Sequence, residues 1–217
     1  MSWPLVKISD FCITGSGGTP LRSNSAFYGG DIPWIKSGEL RENMITTASE
    51  FITALAVEKS SAKIVPAGSI LLAMYGATVG RLAILGIDAT TNQAICNIIP
   101  NKDLAFSKYV YYALLSRGPY FLNNAVGGAQ PNISQGIIKD TEIPLPHLVE
   151  QKRIAAILDK ADSLRRKNQQ AIQLADQFLR AVFLDLFGDP MTNPKGWEHC
   201  KFEGSSRFRG VTTICSL

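Results

Sequence analysis

Residues that could catalyse a reaction are few and far apart in this sequence. The two histidines, His147 and His199, lie 52 positions apart, and neither has neighbours at metal-ligand spacing. The sequence contains no phosphate-binding Gly-x-x-x-x-Gly-Lys-Ser/Thr loop, no Gly-x-Ser-x-Gly nucleophile elbow and no His-Glu-x-x-His motif. Acidic residues are scattered rather than paired with a lysine. We therefore expect a chain that is not an enzyme and that uses no cofactor or metal.

A glycine-rich stretch at residues 15–20, Gly-Ser-Gly-Gly-Thr-Pro, has a composition suited to anion binding. Amides in such loops can cradle a phosphate. The stretch lacks the third glycine of the dinucleotide fingerprint, and no helical pattern follows it. Two interpretations stay open, a phosphate site and a tight structural turn, and we favour the turn.

The longest regular element that the sequence predicts is a helix from Leu148 to Phe187. Pro144 and Pro146 keep the chain extended before it, and Gly188-Asp189-Pro190 ends it. At ~1.5 Å per residue, this helix would be about 60 Å long, which is more than a small domain can cover. Much of the helix is therefore expected to pack against another helix.

Apolar residues in this helix recur at steps of three and four, which is the pattern of a coiled-coil seam over about four heptads. The seam consists of Ile154, Ile157, Ala161, Leu164, Asn168, Ala171, Ala175, Phe178 and Val182. Asn168 occupies a position where an apolar residue is expected. A buried asparagine there would fix the register or the number of partners; in the alternative interpretation, Asn168 faces solvent.

The composition is typical of a protein of the reduced cell interior. The 217 residues are 46% hydrophobic, and the four cysteines show neither paired nor metal-ligand spacing. No segment has the layout of a signal peptide, and the longest apolar runs are too short to span a bilayer. We expect a cytoplasmic protein without a membrane partner. Residues 1–147 carry 11 Lys and Arg against 10 Asp and Glu, so charge alone does not indicate a nucleic-acid partner.

Residues 1–147 are expected to form a globular domain of mixed α/β content. The β-prone runs at residues 69–75 and 79–85 predict a hairpin, and residues 94–99 predict a buried strand. A helix is expected from residue 104 to residue 116, with Asp103 as its cap and Gly118-Pro119 as its end. Because strands and helices mix without regular βαβ alternation, the predicted fold class is α+β, followed by the long coiled-coil helix.

The end of the chain carries a weak repeat of its beginning. Trp197, Lys201 and Phe202 follow the spacing of Trp3, Lys7 and Ile8. This repeat predicts that residues 188–217 are the truncated start of a second repeat of the globular domain. Residues 205–217 show no periodicity, and we expect this stretch to be partly disordered.

The order of several motifs resembles the specificity subunit of type I restriction–modification enzymes, and in particular one half of it. The motifs are Gly17-Gly18-Thr19-Pro20; Tyr28-x-Gly30-x-Ile32-Pro33-Trp34-Ile35; Gly68-Ser69-Ile70-Leu71 with Gly76-Ala77-Thr78-Val79-Gly80; Thr91-Asn92-Gln93-Ala94; and Ile143-Pro144-Leu145-Pro146 running into Glu150-Gln151-Lys152-Arg153-Ile154. Each motif alone is weak, but the combination is specific and covers about residues 3–200.

The resemblance implies a DNA target recognition domain at residues 1–147, a spacer helix at residues 148–187 and no catalysis by the chain itself. In the usual full-length subunit, two recognition domains are separated by two antiparallel helices that set the distance between half-sites on double-stranded DNA. Its partners are the methyltransferase (M) and restriction (R) subunits. Since this chain has one domain and one helix, we expect two copies to pair as a homodimer that reads an interrupted palindrome.

Polar loop residues of the domain are the candidates for DNA contact, because Arg and Lys bond guanine edges, Asn and Gln bond adenine edges, and hydroxyls hold phosphates. They are Arg22, Asn24, Lys36, Ser37, Tyr75, Thr78, Arg81, Asn92, Gln93, Gln130, Asn132 and Ser134. Asn92, Gln93, Asn132 and Ser134 have a competing interpretation, in which they satisfy backbone groups of the fold. Arg22, Lys36 and Arg81 are the better candidates for phosphate contact.

Two other functions stay open from the residues alone. One is a non-enzymatic coiled-coil scaffold whose globular domain binds a protein. The other is an enzyme with a phosphate site at residues 15–20.

Overall fold

The computed structural model describes residues 3–41, 44–128 and 130–198. The strands are β1 (Leu5–Lys7), β2 (Cys12–Ser16), β3 (Tyr28–Ile35), β4 (Met44–Ile45), β5 (Phe51–Ile52), β6 (Ile70–Ala73), β7 (Leu82–Leu85), β8 (Thr90–Thr91), β9 (Ile95–Pro100) and β10 (Glu142–Pro144). The helices are α1 (Ile8–Phe11), α2 (Ala54–Lys59), α3 (Ser107–Ser116), α4 (Gly118–Asn123), α5 (Gln135–Lys139) and α6 (Leu148–Phe187). Some residues named above lie outside the described part of the chain. They are His199, the repeat residues Lys201 and Phe202, and residues 205–217.

A five-stranded sheet with the order β2-β9-β6-β7-β4 forms the centre of the domain. Strands β6 and β7 pair antiparallel, with Leu71 opposite Ala83, and a short 3₁₀ turn at Gly76–Thr78 lies in the connection between them. The predicted hairpin and the predicted buried strand at β9 are therefore present. Both faces of β6 are buried, since Leu72 packs into one apolar cluster and Leu71 into another. This explains why its sequence is a continuous apolar run.

Two smaller sheets flank the central one. In the first, β3 pairs antiparallel with β5 and parallel with β8, in the order β5-β3-β8. In the second, β1 pairs antiparallel with β10, so that Val6 lies opposite Ile143. The β1-β10 pair joins the start of the domain to the segment that leads into α6. The mixture of strand directions and short helices is that of an α+β fold, as predicted.

The helix expected at residues 104–116 begins three residues later than predicted and ends at Ser116, as predicted. Its first residue is Ser107, and the N-cap position is occupied by Phe106 without a side-chain hydrogen bond, so the prediction of Asp103 as the cap was wrong. Gly118 and Pro119 follow this end, and they also form the first turn of a second helix, α4, which the sequence did not predict. Proline is well suited to that position, since the first helical amides have no intrahelical partner.

Helix α6 has the predicted bounds, Leu148–Phe187. Its first turns pack on the domain through Gln151, which is fully buried, and through Ala155. Farther along, Asp159 accepts hydrogen bonds from Tyr112 Oη and Lys108 Nζ of α3. These contacts attach the beginning of α6 to the globular domain.

The chain divides into two compact units, Met1–Asp162 and Ser163–Leu217. Within the described part of the second unit, the chain turns at Gly188, whose φ is +78°. Trp197 Nε1 donates to the carbonyl of Phe187 at 2.8 Å, and Lys195 Nζ donates to that of Leu186 at 2.9 Å. The segment after the helix thus satisfies carbonyls that the helix end leaves without partners. Among the described residues, no helix is long and apolar enough to cross a membrane.

Candidate nucleic-acid interface

Four of the segments that carry the predicted DNA-contact residues lie side by side. Backbone hydrogen bonds link them in series: Asn92 N donates to Ile35 O at 2.9 Å, Met74 N to Ala94 O at 2.8 Å, and Gly76 N to Pro131 O at 2.9 Å. The sheet connections therefore bring together four stretches that are distant in the sequence. The predicted residues on them are Lys36, Ser37, Tyr75, Thr78, Asn92, Gln93, Gln130 and Asn132.

Three side chains of this surface are exposed to solvent. Tyr75 is 46% exposed, and Gln93 and Gln130 are also exposed. Tyr75 precedes the 3₁₀ turn at Gly76–Thr78, and Arg81, which follows that turn, is exposed as well. These residues combine an aromatic ring, two amides and a guanidinium, which are groups that stack on bases or bond to base edges and phosphates.

The glycine-rich loop has a structural role beside this surface. Gly17 N donates to Ile95 O at 3.1 Å, and Gly18 N donates to Thr91 O at 2.8 Å. A Cβ atom at Gly17 would overlap the carbonyl oxygens of Thr91 and Asn92. Since both amides are used inside the protein and the glycines are buried, the structure supports the tight turn and not the phosphate cradle. Gly15, expected in the same loop, belongs instead to β2.

Arg22 and Lys36 share one carboxylate, that of Glu50. Arg22 donates through Nη1 to Oε1 and through Nη2 to Oε2, the latter at 3.2 Å, and Lys36 Nζ lies 3.1 Å from Oε2. The hydrogen bond from Arg22 is the main cause that holds the pKa of Glu50 below its ordinary value, and Lys36 adds to the effect. Two of the three predicted phosphate ligands, Arg22 and Lys36, are therefore partly neutralised by Glu50, which the sequence did not point to.

The guanidinium of Arg22 also lies against two aromatic rings. It is 4.7 Å from the ring centre of Tyr28 and 4.8 Å from that of Trp34. Both rings are fixed to the loop that precedes Arg22, because Trp34 Nε1 donates to Gly18 O and Tyr28 Oη donates to Pro20 O. Cation–π contacts of this kind favour a single guanidinium orientation.

Other predicted contact residues are engaged in local hydrogen bonds. Asn24 caps the 3₁₀ turn at Ser25–Phe27 by accepting from Ala26 N, and Ser134 caps α5 by accepting from Ile137 N. Thr78 Oγ1 donates to Tyr75 O at 3.1 Å. For Ser134, this contact agrees with the competing interpretation, in which the side chain satisfies a backbone group of the fold. Asn92 differs, since its Oδ1 is buried with no hydrogen-bond partner within the described part of the chain.

The seam of α6 is largely exposed. Leu164 is 62% exposed, Phe178 67% and Ile157 54%. Ile154, at the beginning of the seam, packs partly against the domain core. Leu158, Ile172 and Leu179 widen the exposed apolar stripe, because each lies beside a seam residue on the helix surface. An exposed apolar stripe of this kind is typical of a surface that packs against another protein segment.

Groups of His, Cys, Asp and Glu that could hold a metal ion are absent from the residues the structure describes. Cys12 and Cys96 are buried, and burial raises the pKa of each thiol to about 12. The α+β domain carries a polar surface of loops, and the long helix carries an exposed apolar stripe. These two features are typical of the class of binding modules.

Comparison with known proteins gives the family. Residues 2–174 match the family model of the type I restriction modification DNA specificity domain. Because this match covers most of the chain, the protein belongs to that family. Its members are the specificity subunits of type I restriction enzymes, which are non-catalytic, and the prediction that this chain is not an enzyme is confirmed by this membership.

Relatives in the family are larger proteins. The chain is 32% identical over 216 residues to the specificity subunit of the type I restriction enzyme MjaIX from Methanocaldococcus jannaschii. This alignment covers 90% of this chain and 50% of that protein. It is 34% identical over 154 residues to the EcoR124I/EcoR124II specificity subunit of Escherichia coli, with coverage of 68% and 38%. The chain thus spans about half or less of the length of these relatives.

Solved structures show the same fold. A chain from a structural study of complex assembly and conformational transition in the type I R-M system matches with a TM-score of 0.69 and 20% identity, over 83% of this chain and 43% of that one. The HsdS subunit from Thermoanaerobacter tengcongensis matches with a TM-score of 0.61 and 21% identity, over 78% and 40%. The predicted α+β domain followed by a long helix is therefore confirmed.

Proposed function

We propose that this protein is the DNA sequence-recognition subunit of a type I restriction–modification system. In this proposal the loop surface around Tyr75, Gln93 and Arg81 contacts one half-site of double-stranded DNA, and the chain positions methyltransferase and restriction subunits on a bipartite target. The observation that supports DNA contact is the series of backbone hydrogen bonds that unites four polar segments into one surface. Such a surface offers base-edge donors and acceptors without a strong excess of positive charge.

We further propose that two copies pair through α6, and the exposed seam is the observation that supports this pairing. In an antiparallel pair, the seam positions of one helix can be aligned so that small residues meet large ones. Ala161 then lies opposite Phe178 of the second copy, and Ala175 lies opposite Leu164. Such alternation of small and large side chains fills the space between helices without voids.

Two-fold pairing places the same recognition domain at each half-site, so the target would be an interrupted palindrome. The test is methylome sequencing of cells that carry this chain and its methyltransferase. Identical, inverted half-sites are expected. Two different half-sites would contradict the homodimer but not the DNA-recognition role, whereas unchanged methylation on deletion of the chain would contradict both.

A non-enzymatic scaffold that binds a protein is the second candidate. It is favoured by an apolar groove of about 440 Å³ on the first unit, lined by residues that include Trp3, Tyr109, Tyr112, Ile154 and Leu158. Equilibrium binding to duplex DNA at several salt concentrations, with and without the methyltransferase, separates the two candidates. A scaffold would show no salt-dependent binding to DNA in either case.

A further inference from the structure

Glu50 is the acidic centre of a cluster that joins three separate segments of the domain. Its side chain is 24% exposed, compared with 54% for Arg22 and 39% for Lys36. The carboxylate is therefore less accessible than either of the cations that it binds. The cations form the outer part of the cluster.

The ion pair leaves hydrogen-bonding capacity on Arg22. A guanidinium has five N–H groups, and two of the bonds from Arg22 reach Glu50. Three N–H groups remain beyond this pair. Because the guanidinium is also held against Tyr28 and Trp34, those groups have a defined direction. A fixed guanidinium loses little side-chain entropy when it bonds a partner.

The net charge of the cluster is +1, because the carboxylate of Glu50 pairs with one guanidinium and one ammonium group. Without Glu50, two cations would lie close together on the surface. Attraction between cations and the DNA backbone is independent of sequence and dominates non-specific binding. A neutralising carboxylate at this position therefore lowers the affinity for every sequence while leaving directional hydrogen bonds available.

We propose that Glu50 is a positioning and specificity-determining residue for DNA recognition. It holds Arg22 in one orientation for contact with the target and cancels one charge that would attract DNA of any sequence. This inference rests on the proposed DNA-recognition function and adds to it a residue with two separable effects. Loss of the carboxylate should raise the affinity for non-target DNA and reduce the preference for the target.

Glu39 provides a matched control in the same region. Its Oε1 accepts from Lys36 N at 2.9 Å and its Oε2 from Ser49 N at 3.0 Å. It therefore holds the backbone of neighbouring segments. Glu39→Gln removes the same charge as Glu50→Gln but leaves the carboxylate that orients Arg22. The backbone bond from Trp34 N to Glu50 O is retained in both variants.

The experiment measures equilibrium binding of the full chain to its target duplex and to a scrambled duplex between 50 and 200 mM salt, concentrations over which phosphate contacts weaken strongly. For Glu50→Gln we expect tighter binding to the scrambled duplex, a salt slope steeper by about one, and a target-to-scrambled ratio lower by about tenfold. For Glu39→Gln we expect the tighter scrambled binding with an unchanged ratio. Arg22→Lys, which keeps the charge, should lower the ratio without changing the slope.

Each contrary outcome has a distinct meaning. An equal loss of ratio in both glutamate variants would show that the loss does not depend on the contact between Glu50 and Arg22, and it would overturn the positioning role. An unchanged ratio with a lower unfolding temperature for Glu50→Gln would show a structural role alone. If the wild-type chain binds neither duplex with or without its methyltransferase, the DNA-recognition proposal fails and this inference fails with it.

Discussion

The side-chain amide of Gln151 accepts a hydrogen bond from Phe106 N at 2.8 Å and so joins the first turns of α6 to the beginning of α3. The same amide donates to Leu104 O at 2.9 Å and to Pro146 O at 2.7 Å. Gln151 is fully buried and directs all three bonds at backbone groups, so an apolar replacement leaves Phe106 N, Leu104 O and Pro146 O without these partners.

Replacement of this amide should destabilise the domain. We expect Gln151→Leu to lower the free energy of unfolding by about 2–3 kcal/mol, since each of the three lost hydrogen bonds contributes about 1 kcal/mol. Gln173→Leu, on an exposed part of the same helix, should change it by less than about 0.5 kcal/mol. Urea unfolding monitored by tryptophan fluorescence measures both. Equal stability of the two variants would contradict the role given to Gln151.

The glycine-rich loop allows a direct test of close packing. Gly17→Ala should unfold the domain or lower its stability by several kcal/mol, because the new methyl group overlaps backbone carbonyls that cannot move independently. Gly15→Ala adds the same group where no atom lies within 4 Å, and it should have little effect. Thermal unfolding of the two variants gives the comparison. A stable Gly17→Ala protein would show that the loop is free to move.

Arg81 is expected to contact phosphate and not a base edge. Arg81→Gln should weaken binding to target and scrambled duplexes equally and reduce the salt slope by about one. Lys102→Gln is the control, because Lys102 is exposed beyond the opposite end of β9 and should not affect DNA binding. A loss confined to the target duplex would identify Arg81 instead as a base-reading residue.

Pairing of α6 can be tested by disulfide formation in a Cys200→Ser/Cys215→Ser background, in which Cys12 and Cys96 are buried and have raised thiol pKa values. Leu164→Cys and Ala175→Cys proteins should form few cross-links separately and a disulfide-linked heterodimer when mixed. Parallel helices would instead give cross-links in each protein alone. Non-reducing gel electrophoresis after mild oxidation distinguishes the two arrangements.

The Glu50 ion pairs should make part of the stability dependent on acid. Since Arg22 and Lys36 hold the pKa of Glu50 below its ordinary value, the paired carboxylate stabilises the fold above that value. This contribution is lost as the pH falls through the lowered pKa. The difference in unfolding temperature between wild type and Glu50→Gln should therefore shrink between pH 7 and pH 3. A difference that is constant with pH would show that the pairs contribute no stability.

The sequence predicts the elements of this protein better than their contacts. Proline and glycine limits predict α6 to the residue, and the apolar runs predict the β6-β7 hairpin. The prediction of Asp103 as the cap fails because Asp103 precedes the first helical residue, Ser107, by four positions. The N-cap residue, Phe106, instead donates its backbone N–H to the side-chain amide of Gln151. That amide comes from a segment 45 residues away from Phe106, and no local pattern predicts such a contact.

The candidate site was predictable in its residue types but not in its pairings. Loop position and polarity select Arg22 and Lys36, yet Glu50 lies 28 residues after Arg22 and has no motif of its own. Only the folding of β3 against β5 brings these residues together. Helix-capping residues such as Asn24 and Ser134 are also polar loop residues, so composition alone cannot separate them from residues that face a partner.

The packing around Gly17 has a consequence for how such a protein can change. Gly17 and the carbonyls it touches admit no side chain, whereas Gln93 and Arg81 project into solvent from the neighbouring turns. Mutations that redesign the exposed positions therefore need not disturb the folding of the loops beneath them. Under the proposed function, single substitutions at Gln93 or Arg81 can therefore change the preferred DNA sequence while the packed loop at Gly17 stays as it is.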